Sequence, residues 1–124
     1  MVVITSQEIA RFRSELAAYP EALKALDCIE DCEGNIEDAA ISLAIQAGQE
    51  PNISENWLDG LAKRCRVAIC KSELKADLTN GGLNAAFGDL VAAKVCPEIL
   101  ITAVIIYVFK SGVNEFCEPL DYKL

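Results

Sequence analysis

Residues 99–109 read Ile-Leu-Ile-Thr-Ala-Val-Ile-Ile-Tyr-Val-Phe, and ten of these eleven positions are apolar or aromatic, Thr102 being the exception. At 100° per residue such a run places apolar side chains on every face of a helix, so the helix must be surrounded by others. Ile99, Ile101, Val104, Ile105, Ile106 and Val108 are β-branched, which taken alone favours a buried strand. The flanks decide for a helix. Pro97 and Glu98 suit the first helical positions, an acid in the first turn complements the helix dipole, and Ser111-Gly112 supplies a stop after Lys110. A strand would need a partner, and Val2-Val3-Ile4 is the one other strand-like run, leaving a pairing of those two segments as the competing reading. From Pro97 to Lys110 a helix reaches roughly 21 Å, short of a hydrocarbon core of about 30 Å, so a membrane partner is not expected.

Outward from this core helix, the 124 residues predict a single helical domain over 1–124. Residues 1–4 are an N-terminal extension and 113–124 a C-terminal tail packing back. Thr5 and Glu8 form a capping box, with Ile4 and Ile9 as its hydrophobic staple. Ile9, Phe12 and Leu16 are the inward face of the helix that follows, ending at Tyr19. Pro20 opens the next helix, with Leu23, Leu26 and Ile29 inward and Gly34 closing it. Asn35 caps a third, carrying Ile36, Ala40, Leu43 and Ala47 before Gly48. Asn52 and Glu55 make another capping pair. A helical period then runs for about 25 residues through Trp57, Leu58, Leu61, Cys65, Ala68, Ile69, Leu74 and Leu78, with a break expected near 71–75. Leu83, Phe87, Leu90 and Val91 mark one more helix before Cys96-Pro97. The fold class is all-α, a compact antiparallel bundle of about five to seven helices around the central apolar one.

The stretch Cys32-Glu33-Gly34-Asn35-Ile36-Glu37-Asp38-Ala39-Ala40, with Ala25-Leu26 before it and Leu43 after it, resembles the second and third helices of UBA-like domains, including the N-terminal domain of elongation factor Ts. In that family a Gly-Asn/Asp turn followed by Ile/Val-Glu-x-Ala joins two short helices. The resemblance spans about residues 22–47 and implies a helical hairpin. Two departures stand out: about three extra residues lie between Leu26 and Gly34, and Ala18-Tyr19-Pro20 replaces the Met-Gly-Phe-type loop. That loop belongs to the usual ubiquitin-binding surface, so ubiquitin binding is not implied.

The charge pattern bounds the partners. A net charge of −8 opposes attraction to nucleic-acid phosphate. Glu30, Asp31, Glu33, Glu37 and Asp38, with Asp27, crowd acids around the hairpin turn. They fail as a calcium loop, because counting from Asp31 puts Ile36 at the sharp-turn Gly and Ser42 at the bidentate Glu. Arg64, Lys71 and Lys75 fall on one stripe of the long helical period at i, i+7 and i+11. The acidic surface and the basic stripe are the candidate contacts with another protein, or with a second copy in a homodimer.

Six cysteines in a chain without a secretion signal are expected to be free, metal-free thiols buried between helices, in a cytoplasmic protein. Cys28, Cys32, Cys65 and Cys70 are the alternative thiolate set for zinc or redox work, at spacings unlike a C-x-x-C knuckle. The sequence has no His, no phosphate loop and no nucleophile elbow. The expected function is therefore a non-enzymatic interaction or regulatory module with no cofactor, and a small-ligand pocket between helices is the runner-up.

Overall fold

The computed structural model describes residues 2–51, 57–80 and 82–121. Among these the chain forms nine helices: α1 (Ser6–Glu15), α2 (Pro20–Asp31), α3 (Ile36–Gln46), α4 (Trp57–Arg64), α5 (Arg66–Ile69), α6 (Ser72–Thr79), α7 (Leu83–Ala93), α8 (Glu98–Ser111) and α9 (Val113–Asp121). The class is all-α. Helix α8 is the hub, packed against α2, α3, α4, α6, α7 and α9. Leu100 to Ile106 and Val108 are all buried in it, so the apolar run does occupy every face. Thr102 is fully buried there, and its hydroxyl has no hydrogen-bond partner among the described residues.

The helix signals act as their chemistry dictates. Glu8 N donates to Thr5 Oγ1 at 3.1 Å while Thr5 N donates to Glu8 Oε1 at 3.0 Å, closing the capping box. Lys110, in the last turn of α8, reaches the same carboxylate at 2.8 Å. The Lys110 hydrogen bond, then the Thr5 amide, hold the Glu8 carboxyl below its ordinary pKa. One acid thus starts α1 and ties it to the far end of the hub. Pro20 stands at the start of α2, and Asn35 Oδ1 accepts from the amides of Glu37 and Asp38 at 3.1 Å.

Residues 2–4 pair elsewhere than with α8. Ile4 N donates to Gly34 O at 2.9 Å and Ile36 N to Val2 O at 3.3 Å, making an isolated antiparallel bridge between Val3 and Asn35. The extension therefore seals the α2–α3 turn, whose backbone groups would otherwise lack partners. Turning the chain there takes two consecutive left-handed residues, Glu33 (φ 57°) and Gly34 (φ 84°). A Cβ on Gly34 would collide with the Ile4 carbonyl, so both conformation and approach require glycine.

Four expectations are corrected. Helix α1 stops at Glu15 rather than Tyr19, and Asn84 Nδ2 of α7 donates to the freed Glu15 carbonyl at 3.0 Å. The long period of residues 57–78 is three helices: the break expected near 71–75 falls at Cys70-Lys71, where Lys71 adopts extended backbone (ψ 144°), and a further, unexpected one falls at Cys65. Bending there keeps Leu58, Leu61, Ile69, Leu74 and Leu78 all in the core, which a straight helix of roughly 37 Å would not do. The tail is itself helix α9, with Val113, Phe116 and Cys117 buried at i, i+3 and i+4. Those splits and that helix account for nine elements instead of five to seven. The Asn52–Glu55 capping pair lies outside the described residues, as does Tyr122.

Candidate interaction surface

The α2–α3 hairpin presents Glu30, Asp31, Glu33 and Asp38 exposed, with Glu37 half-buried. Their settings differ. Glu37 Oε1 accepts from Val2 N at 2.8 Å, so it anchors the extension. Asp38 and Glu37 occupy the first turn of α3, where negative charge is favoured by the helix dipole. Arg13 of α1 forks to Asp27 at 2.7 Å and Glu30 at 3.3 Å. Asp31 and Glu33 sit instead at the carbonyl end of α2, whose last turn has no basic residue. An acid there opposes the dipole and costs about 0.3–1 kcal/mol when exposed. The hairpin tip is rigid, held by Ile4, Ile36 and the Asn35 cap, and its charge is not placed for stability.

The basic residues do not form one stripe. Arg64 ends α4, Lys71 is the residue before α6, and Lys75 lies within α6, so the interruptions at Cys65 and Cys70 separate what the sequence period aligns. Within the fold, the positive partner of the acidic hairpin is Arg13, a residue that sequence spacing did not single out.

One polar cluster outside this surface serves packing. Tyr107 of α8 donates to Asp59 of α4 at 2.7 Å, and Lys63 meets the same carboxylate at 2.8 Å. Burial opposes the Asp59 charge, but the Lys63 and Tyr107 hydrogen bonds outweigh it and hold the carboxyl below its ordinary value. Burial, then the Asp59 hydrogen bond, push the Tyr107 hydroxyl up to about 12. A shallow cleft of about 310 Å³ between α5, α6 and α7 is lined by Ala68, Lys71, Glu73, Leu74, Asp89 and Ala92, among others. This concave feature bears on the small-ligand alternative; it is at the small end of ligand pockets and open to water.

Asp89 on the cleft rim is raised above its ordinary pKa, first by burial and then by repulsion from Asp77 and Glu73. A carboxyl raised on folding stabilises fully below its unfolded pKa of about 3.9, and that contribution is lost as pH rises through its folded value. Asp89→Asn should therefore be as stable as the parent or more so at pH 7, by about 0.5 kcal/mol or less because the site is exposed. The gain should vanish near pH 3.5. Urea melts at the two pH values test this, and a variant destabilised at pH 7 would contradict it.

The cysteines are the largest departure from expectation. Cys70 and Cys117 are joined by a disulfide, across a sequence separation of 47. Free cysteines are Cys28, Cys32, Cys65 and Cys96. A cysteine pair is made by the fold, not by spacing: the α5–α6 bend brings Cys70 against α9, where Arg66 lies 4.9 Å over the Phe116 ring. With Cys70 bonded to Cys117, the tetrathiolate set of Cys28, Cys32, Cys65 and Cys70 does not assemble. Among the described residues no group of three or more His, Cys, Asp or Glu side chains is arranged to hold a metal ion, and no helix is long and apolar enough to cross a membrane. No protein-family model matches the sequence, and no curated protein or solved structure matches it either.

Proposed function

We propose that this chain is a non-enzymatic protein-interaction or regulatory module in the cytoplasm, which docks a basic surface of another protein, or of a second copy, through the acidic turn between α2 and α3. The observation that carries the reading is the placement of Asp31 and Glu33, exposed at the carbonyl end of α2 on a turn with fixed backbone. Charges kept where they lower stability fit a surface that steers and orients a partner. Glu30, Glu37 and Asp38 extend the same surface, although Glu30 and Glu37 also have partners within the fold. Because Arg64, Lys71 and Lys75 are divided among elements, they support a separate, weaker role, in self-association.

The test separates stability from binding. Asp31→Lys combined with Glu33→Lys should raise stability by about 0.5 kcal/mol or more, since cations complement that helix end. The same variant should lose, by roughly tenfold or more, the partners that the parent chain recovers from its native host, because each rim charge is worth about 1 kcal/mol. Arg64→Glu with Lys71→Glu should leave those partners in place. If the acid-reversed chain recovers the same partners with the same salt dependence, the hairpin has no docking role.

A further inference from the structure

The bridge between residues 2–4 and the α2–α3 turn uses one edge of the extension and leaves the other open. Ile4 N donates to Gly34 O and Ile36 N donates to Val2 O, so Val3 faces Asn35 as the non-hydrogen-bonded pair of an antiparallel ladder. In that geometry the N–H and C=O of the middle residue point away from the partner, toward the outer edge. Neither backbone group of Val3 has a hydrogen-bond partner among the described residues, and the residue is 48% exposed. The edge is short. Thr5, the next residue of the same parity, already donates its N–H to Glu8 and accepts from Ile9 N. An outer strand therefore gains a pair of main-chain hydrogen bonds at Val3, together with the apolar contact of that side chain.

Charge decides what can occupy this edge. Glu33 precedes the bridged Gly34, Glu37 and Asp38 follow the bridged Ile36, and no Lys or Arg occurs from residue 25 to residue 62. Arg13 is committed to Asp27 and Glu30. A strand added outside Val3 lies about 5 Å from the extension and about 10 Å from the turn, a distance that long basic side chains span and that salt screens only in part. A second copy pairing through the same edge brings two acidic turns together on chains of net charge −8, so like charge opposes self-pairing there.

We propose that the outer edge of Val2 to Ile4 receives an extended, basic segment of another protein, which adds to Val3 as a strand. This rests on the docking role of the acidic turn and specifies the partner's backbone as extended rather than helical. Main-chain pairing at Val3 sets the register, and the acids select Lys and Arg. With one bonded residue on this side, the complex is weak and dissociates as salt rises.

The experiment titrates the isotope-labelled full-length protein, followed by NMR, with a short capped peptide of alternating Lys and Val. The expected result is slowed solvent exchange of the Val3 amide on binding, with shifts centred on residues 2–5 and 33–38. An analogue N-methylated at every residue keeps every charge but has no main-chain donor, and it should bind the parent protein roughly tenfold or more weakly. Val3→Pro removes the outward N–H while sparing the three bonds made by Val2, Ile4 and Ile36; it should melt as the parent does and lose binding by a similar factor. Asp31→Lys with Glu33→Lys should weaken the unmodified peptide by roughly tenfold as well. Equal binding of the methylated and unmodified peptides, both weakened by the acid reversal, overturns strand addition and leaves the acidic turn as a docking surface. A methylation effect that survives the acid reversal with affinity unchanged overturns both the basic preference and docking by the turn. An unprotected Val3 amide, or no binding at about 1 mM peptide, also overturns strand addition. A dimer of the parent that Val3→Pro dissolves would make a second copy the occupant and overturn the assignment to another protein. The methylated peptide decides on the parent protein alone, whether or not the proline variant folds.

Discussion

Ile105→Asp should unfold the domain or bring it to the edge of unfolding. Ile105 is fully buried in the middle of α8, the helix that six others touch. A carboxylate there sits within the apolar core and must either stay charged in an apolar site or take up a proton. Either route costs on the order of 3–5 kcal/mol, and lost packing of the isoleucine adds to it. Against a total stability of about 5–15 kcal/mol, this is a large fraction. The melting temperature should fall by roughly 15 °C or more, given about 2.1 cal/mol/K of unfolding entropy per residue. Thr102→Val is the companion measurement on the same helix. It removes a buried hydroxyl without a partner, so it should be neutral or stabilising by about 1 kcal/mol. Both melts can be followed by circular dichroism. An Ile105→Asp chain as stable as its parent would mean that α8 is not the core, and a strongly destabilised Thr102→Val chain would mean that its hydroxyl is bonded.

The hub, the capping box at Thr5 and Glu8, the Pro20 start and the Asn35 cap were legible because each depends on residues close in sequence. The break expected near 71–75 is found at Cys70-Lys71, but the interruption at Cys65 was not legible. Nothing local at Cys65 breaks the period; the bends exist because Leu58, Ile69 and Leu78 must all reach one core, a demand that periodicity alone does not register. Helix α9 was hidden for a related reason, since nine residues with Pro119 among them give too few turns for a period to show. The acidic cluster was visible as composition. What distinguishes its members was not, because the Arg13 fork to Asp27 and Glu30 and the Val2 anchor on Glu37 are tertiary contacts, and only after subtracting them do Asp31 and Glu33 stand out. The basic stripe failed by the same interruption that split the helix. Cysteine pairing was unreadable in principle: six cysteines permit fifteen full pairings, and the choice is made by which elements the fold places side by side.

Breaking the Cys70–Cys117 bond should cost about as much as the buried charge, but by a different route. A cross-link closing a loop of about 47 residues removes roughly 4 kcal/mol of chain entropy from the unfolded state, and its loss returns that entropy without altering a single native contact. The reduced parent and Cys70→Ala should therefore lose about the same stability, roughly 3–4 kcal/mol, with unchanged helix content before the transition. Cys70 is the better position to replace, because it is partly exposed whereas Cys117 is fully buried and its truncation would add a cavity term. Reductant should destabilise the parent and leave Cys70→Ala unaffected, since in protein purified without oxidant this is the bond that reductant can break. The expected size presumes that α9 unfolds together with the rest. Val113, Phe116 and Cys117 lie in the common core, and Arg66 over Phe116 ties α9 to α5, so one cooperative transition is expected in urea. Two separated transitions on reduction, the first confined to proteolysis beyond Lys110, would show instead that α9 is a latch held mainly by the bond. A shift below about 1 kcal/mol with a single transition would mean that the reduced chain keeps α9 near Cys70 even when unfolded.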